Sequence, residues 1–213
     1  GQYEMIHRLQ PACLVGNNHH GAPQEGEDIQ IFERDLPGEM TSGFAKHAAK
    51  VSRLPLETCQ TMNGMWGYKV SDQEYKSTKT LIRYLVSTAG KGANLLLNVG
   101  PQPNGELPAV AVERMKEMGE WLAVNGETVY GTKAGDVKQQ EWGCTTRKGD
   151  RLFVHIFELD HDVLYLPLEC KVTSAKAFVD GKAVKFKQVT GGVLLEVGKV
   201  TDQTDYIVEL RTR

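Results

Sequence analysis

The stretch Asn94-Leu95-Leu96-Leu97-Asn98-Val99-Gly100-Pro101 decides how this chain is read. An unbroken apolar run between amides, stopped by Gly-Pro, describes a strand buried on both faces, and such strands belong to parallel sheets wrapped by helices. Beyond it, Pro101, Pro103, Asn104 and Gly105 make a turn-rich loop. From Pro108 the apolar residues Ala111, Met115, Met118 and Leu122 recur at spacings of four, three and four, which is the period of an amphipathic helix. In α/β barrels the loops at the carboxyl ends of the strands carry the chemistry, so residues 98–104 are a place to expect a site.

Upstream, residues 77–89 hold Leu81, Ile82, Leu85 and Val86 at helical spacing, and Gly90 and Gly92 end that helix. Residues 56–62 read as a short strand closed by Asn63-Gly64, and residues 12–16 as another. The latter follows the end of a helix over residues 2–10, with Ile6 and Leu9 on one side and Pro11 closing it. Residues 17–55 are polar and punctuated by Gly and Pro, with one helical turn expected at 44–51; a loop of that length is usually functional or disordered. After Thr132 the period becomes alternating. Leu152, Val154 and Ile156 share one face, and residues 163–168, 175–179, 193–197 and 206–210 are further short runs, with Asp180-Gly181 and Gly191-Gly192 as turns. This predicts an α/β domain over residues 1–134 and a small antiparallel β-sandwich over 135–213.

Composition excludes more than it identifies. Lys+Arg 25 against Asp+Glu 27 leaves a formal charge of −2 with no basic stripe, and the apolar runs fall far short of a membrane span. Neither nucleic acid nor a membrane is expected as a partner. Cys13, Cys59, Cys144 and Cys170 lack C-x-x-C spacing and read as reduced, mostly buried thiols.

The loop after residue 16 carries Asn17-Asn18-His19-His20, then Glu25, Glu27, Asp28, Glu33, Arg34 and Asp35. A loop offers no fixed ligand spacing of the H-E-x-x-H kind, so no metal or other cofactor is called for. A carbohydrate site suits these residues better than a metal site. Amides, imidazoles and carboxylates can fan around sugar hydroxyls, and Trp66, in Trp66-Gly67-Tyr68, offers an aromatic platform. The plain alternative is a solvated polar loop.

Three ordered blocks then match a known pattern. They are residues 55–63 (Pro-Leu-Glu-Thr-Cys-Gln-Thr-Met-Asn) with Trp66-Gly67-Tyr68, residues 94–101 with Gly105, and Gly119-Glu120-Trp121-Leu122 with Asn125-Gly126-Glu127 and Tyr130-Gly131. Together they resemble the α-L-fucosidases of glycoside hydrolase family 29, over about residues 9–132.

The resemblance implies the second half of a (β/α)8-type catalytic barrel followed by the sandwich, and a fucosylated oligosaccharide or glycoconjugate as substrate. It implies a retaining mechanism, in which a carboxylate attacks the anomeric carbon while a second carboxyl group about 5 Å away protonates the leaving oxygen. The family's nucleophile, an aspartate, precedes a sequence like Leu9-Gln10-Pro11 and is expected to lie outside this chain. Without it, these residues alone are expected to be inactive. The resemblance places the acid/base in residues 28–33, with Glu33 chosen and Phe32 expected to desolvate it. Glu57, at a strand end in Glu57-Thr58-Cys59, is the runner-up. Many members carry Asp-Arg-Trp-Gly where this chain has Asn18-His19-His20-Gly21, so His19 or His20 is expected to take the arginine's contact with the sugar. The family points to a periplasmic, secreted or lysosomal setting. The alternative function is a non-catalytic carbohydrate-binding or assembly module. Pairing with a missing N-terminal half, or of two such chains, would cover unpaired barrel edges.

Overall fold

The computed structural model describes all residues except His19 and residues 44–49, so most of the helical turn expected at 44–51 lies outside the described residues. The chain forms two compact units. The first comprises Gly1–Tyr75 with Ala93–Pro108, and the second Lys76–Gly92 with Ala109–Arg213.

In the first unit, helix α1 (Gln2–Leu9) precedes a four-stranded sheet of β1 (Gly16–Asn17), β2 (Ile29–Glu33), β3 (Leu56–Thr61) and β4 (Ala93–Asn98). The strands run in that order and every pair is parallel. The strand expected at residues 12–16 is only Gly16–Asn17, and β2 arises inside the long polar stretch. A buried glutamine explains β2. Gln30, 3% exposed, lies in the sheet, where its amide donates to the Lys50 carbonyl (3.1 Å) and accepts from the Ser52 N–H (2.8 Å). Hydrogen bonding within the fold offsets the desolvation that its polarity would otherwise cost.

Register shows which side chains share a face. Ile31 lies opposite Glu57, Glu33 opposite Cys59, Cys59 opposite Leu96 and Thr61 opposite Asn98. On this face Leu96 is 49% exposed, so the apolar run of β4 is partly buried on one side, at Leu95 and Leu97, and open on the other. The expectation of two buried faces fails because a leucine run records affinity for a covering layer and does not itself supply one.

The second unit contains α2 (Thr78–Gly90), α3 (Ala109–Asn125), a 3₁₀ turn at Gly126–Thr128 and an antiparallel sandwich. Its larger sheet has the order β5 (Lys133–Ala134), β6 (Gly143–Lys148), β7 (Arg151–Ile156), β12 (Tyr206–Thr212) and β9 (Val172–Ala177). The smaller one has the order β10 (Lys185–Val189), β11 (Gly192–Glu196) and β8 (Val163–Leu166). Leu152, Val154, Ile156, Leu166, Val193, Leu195, Val208 and Leu210 fill the space between the sheets. Trp142 joins this core.

Here a strand is buried on both faces: five of the six residues of β7 are buried. On its second face Phe153 meets the Phe178 ring edge-on, with centroids 5.7 Å apart, and helix α2 packs on the neighbouring β6 so closely that a Cβ on Gly90 would lie 2.8 Å from Cys144 Sγ. Cys144 is buried, which pushes its thiol pKa far up, but Cys13 is exposed and Cys59 and Cys170 are partly so. The expectation of mostly buried thiols therefore holds for Cys144 alone.

Arg83 of α2 ties the helix to the sandwich. Its guanidinium donates to the carbonyls of Phe157 (2.5 Å), Gln203 (2.9 Å) and Thr204 (3.0 Å) and lies 5.3 Å from the Phe157 ring centroid. The ion pair with Glu158 (3.0 Å) adds little, since that carboxylate is 65% exposed. Arg83→Met keeps the aliphatic stem but strands three carbonyls, so a loss of roughly 2–4 kcal/mol in unfolding free energy is expected from urea titration. A loss below about 0.5 kcal/mol would show that water replaces the guanidinium freely.

Candidate active site

Glu33 ends β2, at the carboxyl edge of the parallel sheet where sites form in α/β folds. Its side chain is 15% exposed. Two N–H groups from different loops reach its carboxylate: Trp66 Nε1 donates to Oε1 at 2.9 Å, and Asn18 Nδ2 to Oε2 at 2.5 Å. His20 Nε2 stands 3.7 Å from Oε2. Phe32 is buried on the opposite side of the strand, because successive side chains alternate, so the covering group on the Glu33 side is the Trp66 indole.

The backbone around Glu33 is bent to suit this arrangement. Arg34 has a left-handed φ of 60°, donates to the Gly64 carbonyl (2.6 Å), and places its guanidinium 5.0 Å from the Trp66 ring centroid. Asp35 is buried, which alone would raise its carboxyl pKa. Hydrogen bonds from Ser42 and Thr41, backbone and side chain, outweigh this and hold it below the usual carboxylate range. That carboxylate ties residues 41–42 back to the end of β2.

The loop after β4 fixes Trp66 from the other side. Asn98 Nδ2 donates to the Trp66 carbonyl (2.7 Å) and to Thr61 Oγ1 (3.2 Å). A Cβ on Gly100 would fall 2.6 Å from the Tyr68 nitrogen, so only glycine lets this loop lie against residues 66–68. Asp72 completes the anchor by accepting from Met65 N–H (2.7 Å).

The structure thus brings together three of the residues expected from sequence, Glu33, His20 and Trp66; His19 lies outside the described residues. Glu57 is elsewhere. It is the second residue of β3, level with Ile31, about 7 Å below the level of Glu33 along the strand direction and toward the amino edge. Level with Glu33 on β3, Cys59 is partly buried, and burial, then the charges of Glu33 and Glu57, push its thiol pKa up. Asn18 and Arg34 are additions that sequence reasoning did not single out, although each adjoins a residue that it did. Among the described residues no three His, Cys, Asp or Glu side chains are grouped to hold a metal ion. The arrangement is a carboxyl group on a rigid strand end, held by neutral donors beside an imidazole and an aromatic ring. It can exchange a proton with a ligand lying above the sheet edge.

Comparison with known proteins gives this arrangement a lineage. The α-L-fucosidase family model matches residues 1–127. Human plasma α-L-fucosidase is 40% identical over 186 residues, covering 73% of this chain and 40% of that protein. α-L-Fucosidase isoenzyme 1 from Paenibacillus thiaminolyticus, 30% identical, matches with a TM-score of 0.80 over 99% of this chain and 52% of its own. An α-fucosidase from Thermotoga maritima solved in complex with fucose is 24% identical with a TM-score of 0.71, a likeness of fold, over 97% of this chain and 46% of its own. The chain spans about half, or less, of the length of these proteins. With the family model matched over more than half of its residues, it belongs to the α-L-fucosidase family.

Proposed function

We infer that these residues are part of a retaining exo-α-L-fucosidase that removes terminal α-L-fucose from glycans, with Glu33 as acid/base. In this reading residues 1–134 are the second half of a (β/α)8-type barrel, residues 135–213 the sandwich, and the nucleophilic aspartate lies on a strand outside these 213 residues. His20 and Trp66 face the sugar, His19 is the other candidate for the histidine contact, and Glu57 is the alternative acid/base. The observation that carries the reading is the carboxyl group of Glu33, held at the carboxyl edge of the sheet by Trp66 and Asn18. The half-exposed Leu96 on the same face supports a barrel continued by strands that this chain does not contain. A retaining glycosidase needs a second carboxylate about 5 Å from the acid, and Glu57, further down the sheet, is poorly sited for that task. Hydrolysis of an aryl α-L-fucoside tests the reading. The 213-residue chain is expected to be inactive and a version carrying the upstream half active; comparable rates would overturn the missing nucleophile.

A further inference from the structure

We propose that Trp66 and Asn18 are positioning residues for Glu33, holding one carboxylate oxygen each so that the acid/base keeps a single orientation at the end of β2. This rests on the reading of Glu33 given above and assigns Trp66 a task besides meeting the sugar. Donors from two loops, one after β1 and one after β3, converge on the strand between them, at 2.5 and 2.9 Å from the two carboxylate oxygens. A glutamate at a strand end otherwise samples several rotamers, and only some of them present its proton to a leaving oxygen. The indole is itself fixed. Asn98 holds the Trp66 carbonyl at 2.7 Å, and the Arg34 guanidinium, 5.0 Å from the ring centroid, occupies one face of the ring. One face of the ring is thereby taken, and the N–H edge is spent on Glu33. A ring placed solely for stacking has no need of that edge contact.

Trp66→Phe separates the two tasks, because phenylalanine keeps an aromatic face and lacks the N–H. In the parent enzyme with a complete barrel, kcat/KM on fucosides with sugar leaving groups is expected to fall about 10- to 100-fold. On activated aryl fucosides kcat/KM, which reports a first step that needs no proton, should change by less than about threefold. Asn18→Ala should give the same pattern and serves if the tryptophan variant fails to fold. A loss that falls on KM, alike for both substrates, would mark Trp66 as a stacking platform and overturn the proposal. A second measurement is independent of turnover. In ¹H–¹⁵N spectra of the 213-residue chain, Glu33→Gln should shift the Trp66 indole signal, and an unmoved signal in a folded variant would overturn the contact. Absence of fucoside turnover in the parent enzyme would instead overturn the acid/base reading, leaving the indole signal to decide the contact by itself.

Discussion

Glu33→Gln in the parent enzyme is expected to lower kcat/KM on fucosides with sugar leaving groups by about 10²- to 10³-fold while kcat/KM on activated aryl fucosides falls far less, since that ratio reports the first step and general acid catalysis contributes about 10²–10⁴-fold where a proton must be delivered. Glutamine matches glutamate in size but has only one accepting oxygen. Either Trp66 or Asn18 then keeps its bond, and the other faces an amide N–H₂. The site's framework is held elsewhere, by Asn98 on the Trp66 carbonyl and by Asp35 on residues 41–42, so the variant should fold. What disappears is the proton. Burst kinetics with an aryl fucoside followed by azide rescue would show the second step slowed as well, because the same group turns base to activate water. Equal losses on both substrate classes would move the role away from Glu33, to Glu57 or another carboxylate.

Gly143→Ala is expected to destabilise the second unit by more than about 4 kcal/mol, a large part of the 5–15 kcal/mol that usually separates folded from unfolded domains. Gly143 begins β6 with φ at +144°, and a Cβ there would lie 1.9 Å from the His155 carbonyl oxygen on β7. The clash is with backbone, so no rotamer change relieves it. Separating β6 from β7 would disturb the pairing from Gly143↔Ile156 to Lys148↔Arg151. It would also disturb the buried His155, whose Nδ1 lies 2.8 Å from Asp205 Oδ2 and whose Nε2 lies 3.1 Å from Thr146 Oγ1. Gly149→Ala is the control. It too has positive φ, at +63°, but a Cβ there meets nothing within 4 Å, so only about 1 kcal/mol is expected. Urea unfolding followed by tryptophan fluorescence, with Trp142 in the core as reporter, compares the two. Similar midpoints for both variants would show that β6 can shift aside.

Helical spacing identified α2 and α3 to within a residue or two, and alternation found the core face of β7, because those periods are imposed by the backbone itself. β2 escaped notice because Gln30 breaks its apolar pattern. Its burial depends on backbone partners at residues 50 and 52, which local sequence does not reveal. Glu33 was legible through family resemblance, and Trp66 as an aromatic in the right motif. The contact between them was not legible: residues 33 apart meet only because β2 and β3 pair in parallel and the loop holding Gly100 presses residues 66–68 into place. The same pairing sets Glu33 and Glu57 at different levels of one face, a separation that their shared chemistry in the sequence conceals.

The amino-acid sequence by itself determined the periods, the turns and the family blocks, since these depend on side chains acting within a few residues of one another. Whether a run is covered was decided only in three dimensions. Leu95-Leu96-Leu97 reads as a strand buried on both faces, yet Leu96 is 49% exposed, while the more ordinary Leu152-Phe153-Val154-His155-Ile156 is enclosed on both sides. The difference lies in the second layer, which for β7 is supported by α2 packing on the neighbouring β6. Burial belongs to a pair of surfaces, and a strand encodes only one of them.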